Sequence, residues 1–268
     1  MVIDAASAAN SVLCAETVNS KISAVQATLR LGGNDFDAFA TSHHHAPDRP
    51  GRPTRPVLSE PANMPKRGLG SEEGRFALLH AIAHIEFNAI DLAFDIALRF
   101  RCEIDSLGLS APTFASDWFR VGQDEARHFE MIQRRLESMG GAYGDLDAHN
   151  GLWEAAYATR HNLLARLVVA PLILEARGLD VTPGMIRKLR GVGDRKSAEI
   201  LKVIFNDEIS HVATGNRWFH KICNVQGVDP RKTFHALQNE FFPAGPKPPF
   251  NVDAREQAGL PIDFYSPI

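Results

Sequence analysis

Two short motifs in the sequence combine side chains that commonly bind metal ions. Glu125-Ala-Arg-His128 and Glu208-Ile-Ser-His211 each place a histidine three residues after a glutamate. In an α-helix this spacing brings the two side chains onto one face, one turn apart, so that a single ion can reach both. An aspartate precedes each glutamate, so the longer pattern Asp-Glu-x-x-His occurs twice. This internal similarity suggests that one helical hairpin has been duplicated.

Two further glutamates stand alone among apolar residues. Glu86 lies on a helical stripe with Ile82 and Ile90, and Glu175 follows Leu172 on another stripe. Two lone glutamates and two Glu-x-x-His pairs form the ligand set of the di-iron or di-manganese carboxylate site in ferritin-like four-helix bundles. The predicted metal ligands are Glu86, Glu125, His128, Glu175, Glu208 and His211.

The positions of the glutamates within their hairpins are stronger evidence than the motifs, because Glu-x-x-His also arises by chance. The midpoint between the two glutamates of the first hairpin falls next to the break at residues 106–112, and the midpoint between those of the second falls inside Gly191-Val192-Gly193. Antiparallel neighbours meet at residues equidistant from their shared turn. Each hairpin is therefore expected to bring its two glutamates to the same level.

The helical pattern predicts an all-α fold, a ferritin-like four-helix bundle with an N-terminal helix and extended proline-rich arms. The chain is expected to form a single domain over residues 1–268. Pro171, one turn before Glu175, is expected to kink the third helix. The predicted helices of the bundle run from about Glu72 to Leu107, Ala115 to Met139, Leu152 to Arg177 and Asp194 to Val225. The other predicted segments are an N-terminal helix at 5–31, an extended arm at 41–70, the metal-binding bundle at 72–226 and a C-terminal tail at 227–268.

Charge balance gives a physical reason for metal in this core. Four ionised glutamates facing one another in an apolar interior would each cost several kcal/mol without a partner. Two divalent cations would cancel the four negative charges, and neutral imidazoles would add donors without charge. Oxygen and nitrogen ligands suit iron or manganese, and zinc can also occupy such sites, so two Fe ions are the predicted cofactors. Asp124 and Asp207 are predicted to hold the histidine ligands by hydrogen bonds, the alternative being solvated aspartates.

The composition excludes several classes of protein. With 44% hydrophobic and 23% charged residues, the chain has globular proportions and not those of a fibre or a disordered tail. Its longest strongly apolar stretch, Leu167 to Leu174, is far shorter than the roughly 20 residues of a membrane-spanning helix. The first residues do not resemble a secretory signal, so a cytoplasmic location is expected. The net charge of −3 shows no basic excess that would favour a nucleic-acid partner.

Six blocks of sequence resemble a known family. They are PGRPTRP, HAIAHIEFNAIDLAFD, DEARHF, LEARGLDVTPGM, NDEISHV and KPPFNVDAREQAGL. In combination these blocks resemble the ferritin-like family DUF455, over most of the chain. The resemblance implies the fold and a di-metal site at the six ligands, and it implies no particular substrate. In size and layout the chain is also similar to the bacterial tRNA-hydroxylating di-iron enzymes.

The function expected from these observations is a di-metal oxidoreductase that activates dioxygen or peroxide. The oxidised metal pair would hydroxylate a small-molecule or tRNA substrate, and an external electron donor would reduce it, because the chain contains no electron-transfer module. Two other functions stay open: a ferroxidase or iron-handling protein, and a non-enzymatic binding protein that metal stabilises. A homodimer is a further expectation.

Two glycines and two further histidines also lie near the predicted ligands in the sequence. Gly122 and Gly215 are expected either to leave room for oxygen or substrate or to allow close helix packing. His80 and His84 are expected to be capping or surface residues. A tyrosyl-radical role is not expected, because Tyr143 and Tyr265 lie outside the four predicted helices and Tyr157 lies roughly 27 Å from Glu175 along the third helix.

Overall fold

The computed structural model describes residues 4–59 and 68–266, so residues 60–67 of the predicted arm lie outside the described residues. Within the described ranges the regular structure is helical, apart from an isolated bridge between Leu58 and Ala148. The predicted all-α class is therefore confirmed. The chain divides into two compact units, Met1–Trp153 and Glu154–Ile268, called here the first and second unit. Every described helix is too short or too polar to cross a lipid bilayer.

Two long helices that pack along each other form the centre of the first unit. The helices of this unit are α1 (Ala5–Leu13), α2 (Val18–Thr28), α3 (Glu72–Arg99), α4 (Arg101–Ser106) and α5 (Ala111–Glu137). The Ser71 and Ser110 side chains cap α3 and α5 by accepting backbone hydrogen bonds. The first predicted bundle helix, expected to reach Leu107, is thus split into α3 and α4 at Phe100.

The N-terminal segment differs from the single helix predicted at residues 5–31. It forms two helices, because Thr17 begins α2 with a capping box in which its side chain and that of Ser20 each bond to the other residue's backbone. Lys21 of α2 is fully buried and forms an ion pair with Asp91 of α3. This contact ties the N-terminal helices to the long hairpin.

The described part of the extended arm runs along α3 and its C-terminal end. An extended chain lacks the internal hydrogen bonds of a helix, so its carbonyl groups need other partners. Arg99 donates to the Pro47 carbonyl over 2.6 Å, and Arg101 donates to the Ser42 carbonyl over 2.8 Å. Arginine side chains of the helical hairpin therefore satisfy the backbone of the arm.

In the second unit the third predicted bundle helix is interrupted twice. The elements there are α6 (Gly151–Ala158), which begins in the first unit, α7 (Leu163–Leu167), a π-helix (Val168–Glu175) and α8 (Ala176–Gly191). Asn162 caps α7 and marks the first interruption. Pro171 has no N–H to donate to the Leu167 carbonyl, and the chain around it adopts the wider π-helix instead of a simple kink. Pro183 lies inside α8, seven residues after Ala176, the first residue of that helix.

The last bundle helix and the tail complete the second unit. Helix α9 (Arg195–Gln226) begins after its N-cap, Asp194, as predicted, and ends at Gly227, which has a φ of 67°. The tail at 227–268 is not simply extended, because it contains α10 (Pro230–Phe241) and α11 (Val252–Gln257). Arg255 of α11 forms a buried, two-pronged ion pair with Asp180 of α8, which holds the tail on this unit.

Candidate metal centre

Helices α3 and α5 bring three of the six predicted ligands into one buried cluster. Glu86, Glu125 and His128 are 4%, 1% and 0% exposed, and each offers a ligand atom within 4.8 Å of the others. His128 Nδ1 lies 3.1 Å from Glu86 Oε2 and 3.5 Å from Glu125 Oε2. The first unit therefore contains a set of two carboxylates and one imidazole that converge on one point.

The positions of these residues follow from the helical pattern. On α5 the side chains of Trp118, Val121, Phe129 and Ile132 are buried on the same stripe as Glu125. The midpoint between Glu86 and Glu125 along the chain falls at the end of α4, beside the turn that leads into α5, and the two carboxylates lie at the same level. The predicted pairing of the first hairpin is confirmed.

The electrostatics of the cluster favour a cation. Burial, followed by the nearby Glu125 carboxylate, raises the pKa of Glu86 well above its usual value. Burial would lower the pKa of His128, but its bonds to Glu125 and Glu86 prevail and raise that pKa to about 11. Both shifts favour protonated forms of these side chains, as expected where two buried carboxylates lie close together and positive charge beside them is favourable.

The donor set fits a transition metal ion. Carboxylate oxygen and imidazole nitrogen are ligands that iron and manganese accept, and zinc accepts them as well. The three donor atoms are also close enough for one ion to bind all of them. A divalent ion would displace the proton and cancel both carboxylate charges. The cluster can therefore hold a metal, and its chemistry does not distinguish among these three.

The second unit carries the other three predicted ligands. On α9, Glu208 and His211 lie one turn apart, with Oε1 and Nδ1 3.7 Å from each other. Both are buried, with His211 1% exposed. Glu175 is the last residue of the π-helix and is half-buried. The second Asp-Glu-x-x-His motif thus has nearly the same local geometry as the first.

The two aspartates predicted to support the histidines are both half-buried. Asp124 accepts a hydrogen bond from Arg127 over 2.7 Å. The Asp207 carbonyl accepts one from the Ser210 hydroxyl over 2.8 Å. The hydrogen bonds from these aspartates to the histidine ligands stay predictions.

A second polar face of α3 was not predicted. It consists of buried residues at helical spacing, namely His80, His84, Asn88, Asp91 and Asp95. The regular intervals of three and four residues were a signal in the sequence, but the burial depends on other segments that cover this face. The expectation that the two histidines are capping or surface residues was wrong.

The two histidines of this face hold the loop that follows α5. His80 Nε2 accepts hydrogen bonds from the backbone N–H groups of Gly144 and Leu146, over 2.9 and 3.4 Å. His84 Nδ1 lies 2.9 Å from the Tyr143 hydroxyl oxygen. Burial, assisted by the Arg52 guanidinium, lowers the pKa of His84 to about 4, so its imidazole is neutral at neutral pH.

The structure decides between the two interpretations of the glycines. A Cβ atom on Gly122 would lie 2.6 Å from Phe94 Cε2, and one on Gly215 would lie 2.5 Å from Pro171 Cβ. Neither contact leaves room for a side chain. Both glycines therefore serve close packing, and the space expected for oxygen or substrate beside them is filled.

Comparisons with known proteins identify a relative and a family. An uncharacterized protein of Haemophilus influenzae is 44% identical over 209 residues, which make up 78% of this chain and 72% of the relative. No solved structure matches the chain significantly. The family model described as "Protein of unknown function (DUF455)" matches residues 13–266. Because this match covers nearly the whole chain, the protein belongs to the DUF455 family.

Proposed function

We propose that this protein is a di-metal carboxylate oxidoreductase with a ferritin-like four-helix bundle. The observation that carries the proposal is the buried cluster of Glu86, Glu125 and His128. The second unit repeats the same pair of residue types on α9 with matching local geometry. The proposed ligands of the two ions are Glu86, Glu125, His128, Glu175, Glu208 and His211.

Charge and ligand count support two ions and not one. Each unit supplies two glutamates and one histidine, so the six side chains carry four negative charges when all carboxylates are ionised. Two divalent ions balance these charges, whereas one ion would leave two carboxylates without compensation. The raised pKa of Glu86 is consistent with this deficit, because burial and the Glu125 carboxylate cause it.

Iron as the bound metal would give the protein oxidation chemistry. Two bound iron ions would supply the electrons that reduce dioxygen or peroxide. The protein's side chains would hold the ions and keep water away, since Glu125 lies on a stripe of buried apolar residues on α5. An external donor would return the electrons, and an organic substrate would be hydroxylated. A small molecule and a tRNA are both consistent with the proposal.

Binding of ferrous iron tests the proposal directly. Under anaerobic conditions the protein should bind about two irons per chain, as expected for the ferritin-like ligand set. Exposure to dioxygen should then produce the charge-transfer absorption of oxidised iron. Glu125→Ala should abolish both results, whereas Glu130→Ala, on the same helix but outside the cluster, should change neither.

Other outcomes would point to the alternative functions. Continued uptake and oxidation of many irons per chain would indicate iron handling. A folded protein that binds no iron, manganese or zinc would overturn the proposal and favour a binding role. If instead iron binds and is oxidised as proposed, the substrate class can be identified by comparing modified nucleosides and small metabolites from cells with and without the protein.

A further inference from the structure

The turn that joins α8 to α9 carries a concentration of positive charge. Residues 187–202, called here the hairpin tip, contain six lysine and arginine residues and two acidic ones, a net charge of +4 in a chain whose net charge is −3. All six basic side chains are exposed, namely Arg187, Lys188, Arg190, Arg195, Lys196 and Lys202. The net charge of the whole chain therefore gives no indication of this basic surface on the second unit.

The two acidic residues of the hairpin tip neutralise little of this charge. Asp194 is buried, and its carboxylate accepts hydrogen bonds from the backbone N–H and the hydroxyl of Ser197. Glu199 is exposed and pairs with Arg190 over 2.8 Å, a hydrogen bond that lowers the pKa of the Glu199 carboxyl. The cations of the tip that form no ion pair with any of the described residues are Arg187, Lys188, Arg195 and Lys196.

Helix stability does not explain the position of two of these cations. Lys188 and Arg190 lie in the last turn of α8, where positive charge is favourable. Arg195 and Lys196 are instead the first two residues of α9, where positive charge opposes the helix dipole. The first turn of α9 contains no acidic residue, and the N-cap Asp194 is a single negative charge beside two positive ones. A negatively charged partner would relieve this repulsion.

The backbone of the turn is open to such a partner. Gly191, Val192 and Gly193 are all exposed. A Cβ atom added to either glycine would have no neighbouring atom within 4 Å outside the adjacent chain. Because glycine has no side chain, another molecule can come close to the backbone here. A ligand can therefore reach the cations on both sides of the turn.

We propose that the hairpin tip is a docking surface for a nucleic-acid double helix, which it holds through the phosphate backbone. A duplex carries one negative charge per about 1.7 Å of its axis, so several phosphates can face the cations of α8 and α9 at once. Residues 187–202 include no aromatic residue on which the bases of a single strand could stack. Contacts with phosphates alone carry no base-sequence information, so the surface binds duplexes of any sequence.

An anionic membrane fits the hairpin tip less well. A helix that lies in a membrane interface buries an apolar face among the lipids. Within residues 187–202 the only large hydrophobic side chain that is exposed is Val192, at 44%. The other exposed side chains of the tip are charged, which favours a partner whose surface is charged throughout.

The docking surface is separate from the metal ligands of the same unit. Glu208 and His211 lie about 20 Å or more along α9 from Asp194, at a rise of 1.5 Å per residue. Substitutions at the hairpin tip should therefore leave metal binding unchanged. The inference does not depend on the proposed oxidoreductase function, and either can fail without the other.

Fluorescence anisotropy with the full chain tests the proposal. Labelled RNA and DNA duplexes of one arbitrary sequence should both bind the wild type, and the logarithm of the binding constant should fall linearly with the logarithm of the salt concentration. In Arg195→Gln, Lys196→Gln the slope should be smaller by about two, one for each lost phosphate contact. The affinity at about 50 mM salt should fall at least about tenfold. Arg187→Gln, on the other helix, should reduce the slope by about one.

A matched control removes the same two charges from another helix of this unit. Arg231 and Lys232 lie in the first turn of α10. Arg231→Gln, Lys232→Gln should keep the affinity and the salt slope of the wild type. Thermal melting shows whether the variants are folded, and Arg195→Gln, Lys196→Gln should melt no lower than the wild type because these cations oppose the dipole of α9.

Four results would overturn the proposal. The first is the absence of duplex binding at low salt, and the second is binding of only one kind of duplex or tighter binding of a single strand. The third is an equal loss of affinity in the two double variants, or no loss in either, because binding would then not depend on the hairpin tip. The fourth is tighter binding to phosphatidylserine vesicles or to polyglutamate than to the duplexes, which would identify a membrane or an acidic protein as the partner.

Discussion

His128 Nδ1 lies 3.1 Å from Glu86 Oε2, although 42 residues separate the two in the chain. The contact joins α3 to α5 in a region where both side chains are almost fully buried. Two carboxylates and an imidazole at this depth are costly for an unliganded protein. The arrangement is therefore expected to reduce stability without metal and to increase it with metal.

Substitution Glu86→Gln should separate these two effects. Removal of one buried negative charge should leave the metal-free protein as stable as the wild type, or more stable by about 1 kcal/mol. Ferrous or manganous ions should raise the melting temperature of the wild type and not of the variant. Thermal melts with and without metal measure both. Glu103→Gln, which changes a partly buried carboxylate of α4, should keep the metal response, and an equal metal response in Glu86→Gln would contradict the assignment of this ligand.

The buried His80 should make stability depend on pH. Burial lowers its pKa below the value of 6.5 for an exposed histidine, with a smaller opposing effect of Asp145. Below about pH 6.5 the unfolded chain then binds a proton that the folded His80 resists, so the free energy of unfolding should fall as the pH drops. In His80→Gln this part of the fall should disappear. Urea unfolding between pH 8 and pH 5 measures the difference, and parallel profiles for the two proteins would count against it.

Close packing of the π-helix on α9 should make Gly215 sensitive to substitution. A Cβ atom at this position would lie 2.5 Å from both Cβ and Cγ of Pro171, a ring that cannot move aside easily. Gly215→Ala should therefore lower the free energy of unfolding by about 1–3 kcal/mol. At Gly178 in α8, an added Cβ atom would have no neighbouring atom within 4 Å outside the adjacent helix backbone. Gly178→Ala should therefore stabilise the protein by about 0.5–1 kcal/mol. Chemical denaturation of both variants measures the contrast, and equal effects would show that helix contact does not explain Gly215.

The buried ion pair of Lys21 and Asp91 should show strong coupling. Burial raises the pKa of Asp91, and Lys21 opposes this shift. Lys21→Met leaves an uncompensated buried carboxylate and should cost about 3–5 kcal/mol of unfolding free energy. The double variant Lys21→Met, Asp91→Leu should recover most of that loss, because an apolar pair needs no charge partner. A double-mutant cycle in urea measures the coupling, and additive losses would contradict it.

The local sequence pattern predicted several features of the fold correctly. Apolar residues at helical spacing predicted α5 and α9 closely, and they identified Glu86 and Glu125 as polar exceptions on buried stripes. The distance of each glutamate from the turn placed the two at one level. These predictions succeeded because helical periodicity and hairpin symmetry depend only on neighbouring positions in the chain.

The breaks in the helices were harder to predict. Thr17 and Asn162 each begin a new helix within a segment that was expected to be continuous. Such caps are single-residue signals, and the apolar pattern continues on both sides of them. At Pro171 the expected disturbance was correct, but a proline in the sequence does not specify whether the helix kinks or widens into a π-helix.

By itself the sequence determined the helical class, the approximate positions of α5 and α9 and the three residues of the buried cluster, Glu86, Glu125 and His128, because these follow from spacing along the chain. The tertiary structure alone decided that His80 and His84 are buried and that Tyr143 lies against Phe87 and Phe129. The physical reason is that burial of a polar side chain requires a partner for its hydrogen bonds. For the polar face of α3 those partners come from α2, the arm and the loop after α5, segments whose positions no local pattern specifies.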